Sequence, residues 1–576
     1  MNHRHFIASF SYSSFLLFIL KISYTSHFVA TAFAISSTGG ETTKKAVYLG
    51  IDVGTQGTKI VAYCPQEASI IATASRSYDV MPTEVTGRAE QDPSSTWMPA
   101  IEECLMEVGH TLQLEQQDDN AEPSSYRIKG IGVSGQQHGM VALDSQLEPL
   151  RPAKLWCDVE AVQEANDLKD YFHSQQGQGN LDFLTPSFTA PKILWMKRNE
   201  PELYDKAKWF ILPHDYVILK LANLRRPITD AGDASGNGFF LAAKRENSPI
   251  IAQAIDQDSK GEQSGESNTS VLEKLPTILS PNQVTGILDD YYVQKLLPWT
   301  ASGMKAANIK AIPVSVGSGD NMCSALGVGC VSPGQAVMSL GTSGTIFAVS
   351  KRPPSGTDPS SLAPFCDATG QYLPLACTIS CTGVLTQVLK EWTDFSSHEE
   401  ASKYAASVPI GCHGITFLPY LGGERTPNWP HATGAILGLT SSNFQYAKDP
   451  AVIYRACLEA ITFLLANALE EFPNKNDIDT LLVVGGGAKN PFWQQMIADI
   501  TNRKLIFPLE TETAALGAAF QAGAAASGMA VEEYVKGQAQ ALKRSPDTVQ
   551  PQNHKAYEEA AARFRQFGSN LFDKRI

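Results

Sequence analysis

The sequence lacks several features that would assign it to a common protein class. It has no C-x-x-C pair and no Cys/His spacing of the kind that zinc sites require. Its ten cysteines are scattered over 576 residues, which favours reduced thiols over a secreted disulfide scaffold. It contains no Walker A sequence, so a P-loop kinase is not supported. No short-period repeat is visible, which argues against a solenoid.

Basic residues are scarce relative to acidic ones. Lys and Arg total 46 against 59 Asp and Glu, which gives a formal charge of −13. A protein this acidic has no bulk attraction for nucleic acid or for an anionic membrane, so we expect neither as a partner. Any phosphorylated ligand must therefore be held by local donors. Apolar residues make up 43% of the chain, enough to bury sizeable cores and to exclude wholesale disorder.

The first 40 residues differ from the rest because they contain no Asp or Glu. Arg4 precedes a short apolar run at 15–20, and small residues recur across 30–34 (ATAFA). The run is shorter than the ~20 apolar residues of a transmembrane helix, so residues 1–40 are predicted to be a cleaved targeting leader. The tract 30–34 resembles the cleavage motif of bipartite plastid-targeting leaders, which predicts a plastid location. The cytoplasm or another organelle is the alternative.

Two similar strand–turn–strand patterns, at 46–63 and 335–350, predict a duplicated architecture. In both, β-branched and apolar residues flank a tight turn of Gly, Thr or Ser (AVYLGIDVGTQGTKIVAY and QAVMSLGTSGTIFAVS). A second apolar strand that ends in small residues follows in each half, at 128–135 and 481–487. Helical periodicity is visible in each half, most clearly over 450–472 and also over 491–500. Alternating strands and helices predict an α/β fold of two similar halves.

The boundary between the halves is predicted near 329–334, just before the second hairpin. It divides the chain into an N-terminal domain over 45–329 and a C-terminal domain over 334–570, with a ligand site in the cleft between them. Residues 255–272 are polar and rich in Gly and Ser, so they are predicted to form a surface insertion in the first domain.

Two glycine-rich turns have the composition of phosphate-binding loops. In the first, 52–59 (DVGTQGTK), glycines and threonines let backbone N–H groups and hydroxyls approach phosphate oxygens. Asp52 at the strand end could hold Mg²⁺, directly or through water, and Lys59 could add a charge-assisted contact. The second turn, 341–344 (GTSG), repeats this chemistry without the carboxylate. A plain hairpin turn is the alternative for either turn taken alone.

Three further segments place polar or small residues after predicted strands. At 485–487, three glycines remove Cβ atoms where an adenine or ribose could lie against the backbone, although a flexible turn is the alternative. Asp320 lies in a glycine-rich strand end (GSGDN), so it could accept a proton from an attacking hydroxyl or simply cap a helix. At 134–139 (SGQQHG), amides and an imidazole could hydrogen-bond sugar hydroxyls, although a lone His is more often structural.

These motifs resemble the FGGY carbohydrate kinase family, and within it the xylulokinase branch, over roughly residues 45–540. The matching stretches are YLGIDVGTQGTK (48–59), GVSGQQHGMVALD (132–144), FTAPKILW (188–195), LPHDY (212–216), SVGSGDN (315–321), SLGTSGT (339–345), FLPYLGGERTPNW (417–429) and VVGGGAKNPFWQQMIADI (483–500). The resemblance implies two ribonuclease-H-like domains of the actin/hexokinase-like ATPase fold, which close on ATP and a sugar. It implies transfer of a phosphoryl group from ATP, with Mg²⁺, to the 5-hydroxyl of D-xylulose, which would feed the pentose phosphate pathway.

The resemblance also implies roles for individual residues. Asp320 matches the family's catalytic base, and Asp52 matches the carboxylate near the metal and the phosphates. The residues implied in sugar binding are Gln137, His138, Trp156, Asp320 and Asn321. The residues implied in ATP binding are Gly54, Thr55, Gln56, Thr58, Lys59, Gly341, Thr342, Ser343, Gly344, Gly486, Gly487 and Asn490. The expected partners are a small-molecule sugar and ATP, with a homodimer left open.

Residues 155–160 (LWCDVE) depart from the family pattern. Bacterial relatives typically read Leu-Trp-Asn-Asp-x-Arg, so Cys157 replaces an amide and Glu160 replaces a cation; Gln137 stands where many relatives have Met. These changes are expected near the sugar pocket, so another pentulose or polyol, such as ribulose or glycerol, is an alternative acceptor. An actin-like or chaperone-like ATPase without a sugar substrate and a degenerate regulatory sugar-binding protein are more distant alternatives.

Overall fold

The structure, a computed structural model, describes residues 44–112, 125–175, 181, 183–259, 269–296, 311–353, 362–538 and 540–573. The predicted leader at 1–40 lies outside the described residues, and so do residues 260–268 of the predicted insertion. The described residues from Lys45 onward belong to one unit, and everything below concerns that unit.

The N-terminal half of the described residues contains a mixed seven-stranded sheet. Its strands are β1 (Lys45–Val53), β2 (Gly57–Cys64), β3 (Ser69–Ser77), β4 (Tyr126–Gly135), β5 (Val284–Ile287), β6 (Pro313–Ser315) and β7 (Ser318–Gly319). The strand order is β5-β6-β4-β1-β2-β3, and β7 pairs with β4 outside this path. Strand β1 is antiparallel to β2 and parallel to β4, so the predicted first hairpin and the strand that follows it are confirmed.

The C-terminal half contains a second seven-stranded sheet within the described residues. Its strands are β8 (Gln335–Leu340), β9 (Gly344–Ala348), β10 (Ala363–Cys366), β11 (Tyr372–Thr378), β12 (Thr480–Val484), β13 (Lys504–Pro508) and β14 (Arg544–Val549). Their order is β10-β11-β9-β8-β12-β13-β14. Strand β8 is antiparallel to β9 and parallel to β12, which repeats the pairing of β1 with β2 and β4. The predicted α/β fold of two similar halves is confirmed.

Sixteen α-helices lie within the described residues. They are α1 (Met98–Thr111), α2 (Val162–Ser174), α3 (Thr189–Asn199), α4 (Pro201–Lys206), α5 (Pro213–Leu221), α6 (Ala231–Ala234), α7 (Pro249–Asp256), α8 (Asp290–Leu296), α9 (Asp320–Gly327), α10 (Thr382–Trp392), α11 (His398–Ala405), α12 (Pro450–Glu470), α13 (Pro491–Thr501), α14 (Thr513–Ser527), α15 (Val531–Gly537) and α16 (His554–Phe572). Shorter helical turns are Pro93–Trp97, Val271–Lys274, Cys412–Gly414, Phe444–Lys448 and Gly486–Lys489. The helices predicted from periodicity over 450–472 and 491–500 are confirmed as α12 and α13.

Five short two-stranded ladders complete the described secondary structure. They pair Glu90–Gln91 with Ala153–Lys154, Val141–Leu143 with Trp209–Ile211, Ile228–Asp230 with Thr277–Leu279, Phe240–Leu241 with Glu246–Asn247, and Thr416–Leu418 with Ala435–Leu437.

Helix α12 begins where local signals favour a helix start. The Asp449 side chain accepts a hydrogen bond from the N–H of Ala451, and Pro450 occupies the first turn. Among the described helices, α12 alone is long and apolar enough to cross a membrane, and the bent pair α14–α15 would add a second if counted as one span. Because 89% of the apolar window of α12 is buried inside the protein, its composition is that of a core helix.

Helix α14 connects the C-terminal half to the first sheet by an unusually close backbone approach. A Cβ on Gly50 of β1 would lie 1.8 Å from the carbonyl oxygen of Ala515. A Cβ on Gly132 of β4 would lie 2.0 Å from the carbonyl oxygen of Ala518. Only hydrogen fits at these positions, since such distances are far inside van der Waals contact. The contact places the C-terminal half against β1 and β4, which end at Val53 and Gly135.

The two ends of the predicted insertion at 255–272 belong to the fold. Ile255, in α7, and Val271 are fully buried. The Asp256 carboxylate accepts hydrogen bonds from the Ser270 hydroxyl at 2.6 Å and from the Val271 N–H at 2.9 Å. The polar composition of the segment therefore describes its middle, while its ends supply apolar side chains to the core.

Candidate active site

A cavity of about 580 Å³ is lined by side chains from both halves of the chain. From the N-terminal half it is lined by Gln137, His138, Trp156, Phe183, Thr185, Ser187, Phe188, Asp320 and Asn321. From the C-terminal half it is lined by Ser343, Thr345, Ala363, Phe365, Leu375, Cys377, Arg425, Thr426, Pro427, Asn428, Trp429, Glu471, Phe572 and Asp573. The structure thus brings all five residues implied in sugar binding to one cavity, and their individual roles stay predictions.

Asp320 is the first residue of α9 and directly follows β7. Gly319 occupies the N-cap position, so Asp320 does not act as the helix cap itself. One carboxylate oxygen accepts hydrogen bonds from the Asn321 N–H at 2.7 Å and from its side-chain amide at 3.1 Å. Burial, followed by the negative charges of Asp52 and Asp233, raises the pKa of Asp320 to about 7. A carboxylate with a pKa near neutrality is suited to accept a proton from a hydroxyl.

Asp52 lies at the same edge of the first sheet as Asp320. On opposite sides of β4, Asp52 of β1 and Ser318 of β7 both pair with Ser134. The Ser134 hydroxyl donates to the Asp52 carboxylate at 2.8 Å. Burial raises the pKa of Asp52 to about 6, against the opposing effects of that hydrogen bond and of Lys59. Asp52 and Asp320 are neighbouring carboxylates, and their oxygens are the hard donors that a divalent cation such as Mg²⁺ binds. A bound cation would also offset the burial and like charge that disfavour their ionisation, so the residues present fit such an ion.

His138 is held in one orientation by a neighbouring backbone carbonyl. Its Nδ1 lies 2.8 Å from the Gly236 oxygen, and because a carbonyl only accepts, Nδ1 carries the hydrogen and Nε2 is an acceptor. Burial lowers the pKa of His138 to about 3, so the ring is neutral. Its ring centroid lies 4.4 Å from that of Phe188 and 5.6 Å from that of Phe365. Aromatic rings from both halves therefore fix an imidazole that can accept a hydrogen bond from a ligand hydroxyl.

Amide and indole side chains complete the polar part of the cavity. The Asn321 side-chain amide donates to Gln137 Oε1 at 2.8 Å as well as to Asp320. The indole N–H of Trp156 donates to the Thr55 hydroxyl at 2.9 Å, while the Trp156 side chain remains 40% exposed. Amide groups beside an exposed indole face suit a polyhydroxylated ligand, whose hydroxyls need donors and acceptors and whose C–H groups pack on aromatic rings.

Four fully buried side chains near this base were not assigned from the sequence: His214, Asp215, Asp230 and Asp233. His214 Nδ1 makes a short contact with the Asp233 carboxylate. The Asp230 carboxylate accepts from the Ser318 hydroxyl at 2.9 Å, which ties this group to β7, just before Asp320. Burial raises the pKa of Asp233 well above its usual value, and Asp233 in turn raises that of Asp320. The sequence feature that could have identified these four residues is the presence of charged residues in otherwise apolar stretches (LPHDY and DAGDA).

Most polar side chains of the first glycine-rich turn already bind other protein groups. The Thr55 hydroxyl accepts from the indole of Trp156. Thr58 is fully buried, and its hydroxyl lies 3.1 Å from the Tyr78 hydroxyl. Lys59 forms an ion pair with Glu512 at 2.7 Å. The predicted contacts of these side chains with phosphate would therefore compete with bonds that the protein already makes.

The backbone of both turns offers donors instead. The N–H groups of Thr55 and Gln56 in the first turn, and of Thr342 and Ser343 in the second, donate to no other group within the described part of the chain. Consecutive free N–H groups in a tight turn form a concave donor surface for an anion. The side chain of Ser343 also lines the cavity that contains Asp320. Backbone donors are thus the feature that supports the phosphate-binding prediction for both turns.

The glycines predicted to bind adenosine differ in their surroundings. A Cβ on Gly486 would meet nothing within 4 Å, whereas one on Gly487 would lie 2.5 Å from the Trp493 ring. Asn490 caps α13 through its side-chain oxygen and donates to the Ser402 hydroxyl at 2.8 Å. Packing and capping therefore account for Gly487 and Asn490, and only Gly486 faces open space. The adenosine-binding role of all three stays a prediction.

Glu160 does not point toward the cavity. Its carboxylate binds the Arg88 guanidinium through two hydrogen bonds of 3.0 Å and contacts the fully buried Lys154 ammonium. Neither Glu160 nor Cys157 lines the cavity. Trp156, next to Cys157, does line it, so these two departures lie beside the cavity without contributing side chains to its wall. Arg88 and Lys154 are the cations that surround position 160, so a carboxylate there forms ion pairs with both.

Restoring the cation of the bacterial relatives at this position is expected to destabilise the protein. Glu160→Arg would place a third positive charge beside Arg88 and Lys154, where the Glu160 side chain is only 9% exposed. Breaking a buried ion pair costs about 3–5 kcal/mol, so the urea midpoint of unfolding should fall clearly. The exposed Glu84→Arg variant is the matched control. Unchanged stability of the Glu160 variant would show that this network contributes nothing.

Comparisons with known proteins find matching family models, related sequences and a similar solved structure over most of the chain. The model of the N-terminal domain of the FGGY family of carbohydrate kinases matches residues 47–327, and that of the C-terminal domain matches 336–526. A xylulose kinase of Haemophilus influenzae is 35% identical over 83% of this chain and 90% of its own length. A xylulose kinase of Escherichia coli is 32% identical over 84% of this chain and 90% of its own length. The crystal structure of xylulose kinase from Bifidobacterium adolescentis superposes with a TM-score of 0.72 at 27% identity, over 90% of this chain and 99% of that one.

Proposed function

Because the chain belongs to the FGGY family of carbohydrate kinases, we propose that it phosphorylates D-xylulose to D-xylulose 5-phosphate with ATP. The observation that carries this proposal is the cavity in which Asp320 lies beside the neutral His138 and the amides of Gln137 and Asn321. The similarity to curated xylulose kinases supports D-xylulose as the acceptor. The product is a pentulose phosphate of the kind used by the pentose phosphate pathway.

The parts of the cavity suggest how the reaction proceeds. His138 Nε2 and the amides of Gln137 and Asn321 would hold the sugar hydroxyls, with Trp156 against the carbon chain. Asp320 would accept the proton of the 5-hydroxyl as its oxygen attacks the γ-phosphorus of ATP, and ADP leaves. Such a transfer depends mainly on positioning and charge stabilisation, which a cavity between two halves provides when it excludes water.

The anionic phosphates would be held by local groups, since the chain as a whole is acidic. The free backbone N–H groups at Thr55, Gln56, Thr342 and Ser343 would bind them. Asp52 would hold Mg²⁺, directly or through water, and the bound ion would offset the charge of the phosphates during transfer.

A substrate panel tests the proposed acceptor. The full-length protein is assayed by coupled ADP release with D-xylulose, D-ribulose, glycerol or no sugar. We expect kcat/KM for D-xylulose to exceed the others by at least about tenfold, the discrimination that pocket contacts usually supply. A higher kcat/KM for D-ribulose or glycerol would show that this compound, and not D-xylulose, is the preferred acceptor. ADP release that does not depend on sugar would instead favour a chaperone-like ATPase.

We also propose that residues 1–40 direct the protein to a plastid. The proposal is supported by the absence of Asp and Glu from this segment and by the ATAFA tract at 30–34. A fluorescent protein fused after residues 1–45 is expected to accumulate in the organelle. Diffuse cytosolic fluorescence would contradict the proposal.

A further inference from the structure

We propose that Arg425 binds the phosphoryl group during its transfer and holds the phosphate of the product. The proposal rests on the kinase activity proposed above and adds a catalytic residue from the C-terminal half. Arg425 lies in the segment FLPYLGGERTPNW (417–429), and it is not among the residues that the family resemblance implies in ATP or sugar binding.

The charge of the cavity lining points to this role. Among the described residues that line the cavity, Arg425 is the only one with a permanently positive side chain. The other charged side chains in the lining are the carboxylates Asp320, Glu471 and Asp573. Phosphoryl transfer brings further negative charge to this carboxylate-rich place, on the three non-bridging oxygens of the moving group. A cation in the same cavity would offset that charge together with the Mg²⁺ proposed at Asp52.

The guanidinium of Arg425 is available for a ligand. Its side chain is exposed, and its one side-chain hydrogen bond within the described part of the chain is a 3.9 Å contact with Cys377 Sγ. No described carboxylate lies within ion-pair distance of it. The more deeply buried arginines differ, because each is paired with carboxylates: Arg151, Arg198 and Arg455. An unpaired guanidinium can donate two parallel hydrogen bonds to a phosphate.

The backbone that carries Arg425 is held in place by a buried carboxylate. Glu424 is 1% exposed, and it accepts from the N–H groups of Arg425 at 2.8 Å, Ile379 at 2.6 Å and Ser380 at 3.2 Å. Gly423, with φ of 76°, forms the preceding turn, and a Cβ there would lie 2.5 Å from a backbone oxygen. A fixed backbone limits where the guanidinium can lie before the reaction begins, which favours electrostatic stabilisation of a transition state.

The charge of Arg425 also reaches the part of the cavity that contains His138. The low pKa of His138 is due first to burial, but the positive charge of Arg425 contributes to it. Arg425 therefore lies within electrostatic reach of the imidazole, in the cavity that both residues line with Asp320.

The proposed transfer forms one bond to phosphorus and breaks another. The 5-hydroxyl oxygen forms a bond to the γ-phosphorus, its proton goes to Asp320, and the bond between the γ-phosphorus and ADP breaks with its electrons leaving on ADP. Arg425 would contact the non-bridging oxygens throughout and then form an ion pair with the new 5-phosphate.

Two substitutions test the role in catalysis. Arg425→Gln is expected to reduce kcat by about 10²-fold or more, the usual effect of removing one donor to a developing charge. KM for D-xylulose should stay within about threefold, because the group acts mainly on the moving phosphoryl. Arg425→Lys should be intermediate, since it keeps the charge but loses the planar pair of donors. The exposed Arg225, which does not line the cavity, supplies the matched control Arg225→Gln.

A binding measurement without turnover separates this role from a structural one. By calorimetry, Arg425→Gln should weaken binding of D-xylulose 5-phosphate at least about tenfold while leaving D-xylulose binding unchanged. Unchanged kcat, or a loss confined to KM and to D-xylulose binding, would overturn the proposal. If the wild-type protein phosphorylates a different sugar, the proposed acceptor fails, and the same comparison with that sugar and its phosphate still decides the role of Arg425.

Discussion

Replacing Asp320 with Asn is expected to reduce kcat for D-xylulose phosphorylation by about 10²–10⁴-fold, the usual span for loss of a general base. The amide keeps the size of the side chain but cannot accept the proton of the attacking hydroxyl. Sugar binding should survive in part, because Gln137, His138 and Asn321 are unchanged. Coupled ADP release measures kcat, and calorimetry with D-xylulose measures binding. Near-normal turnover of Asp320→Asn would exclude Asp320 as the base.

The pH profile gives a second readout of the same residue. Burial and neighbouring carboxylates raise the pKa of Asp320 to about 7, so its proton-accepting form is lost as the pH falls through that value. In the wild-type protein, kcat/KM should therefore fall about tenfold per pH unit below neutrality. The Asp320→Asn variant should lack this limb, and the exposed Asp394→Asn variant should keep it. An acidic limb that persists in Asp320→Asn would assign the titration to another group.

Replacing Gly50 with Ala is expected to cost at least about 3 kcal/mol in the free energy of unfolding. The added methyl group would lie 1.8 Å from the carbonyl oxygen of Ala515, and both atoms belong to backbones fixed in a strand and a helix. No side-chain rotation can relieve that contact, so the first sheet and α14 must move apart. Because the same contact joins the two halves beside Asp52, activity should fall together with stability.

Urea unfolding followed by circular dichroism measures the effect at Gly50. The matched control is Gly537→Ala at the end of α15, where an added Cβ would meet nothing within 4 Å. Ala is also the better helix former, so the control should be neutral or slightly stabilised. An unfolding midpoint of Gly50→Ala equal to that of the wild type would mean that α14 does not pack against β1 as described.

Local patterns in the sequence were sufficient to predict the secondary structure around the site. The hairpins β1–β2 and β8–β9 follow from apolar strands that flank glycine-rich turns. Helices α12 and α13 begin where a capping residue precedes a proline, at Asp449 and Asn490. These signals lie within a few residues of the element that they define, so a single sequence is enough to read them.

The directions and partners of side chains could not be predicted in the same way. The sequence suggested that Thr58 and Lys59 face phosphate, but Tyr78 and Glu512 supply partners for them from other segments. Glu160 was expected near the sugar pocket because of its motif, but its carboxylate binds Arg88 and does not line the cavity. Each partner lies at least 20 residues away in the sequence, so no local pattern predicts the contact.

The sequence by itself determined the α/β fold of two similar halves, the two glycine-rich turns and the residues Asp52, His138 and Asp320 as candidates for chemistry. Only the tertiary structure decided that Arg425 shares a cavity with Asp320, because the two residues come from different halves of the chain. The physical reason is that strand and helix formation depend on neighbouring residues, whereas the charge and shape of a cavity depend on segments brought together by packing of the cores.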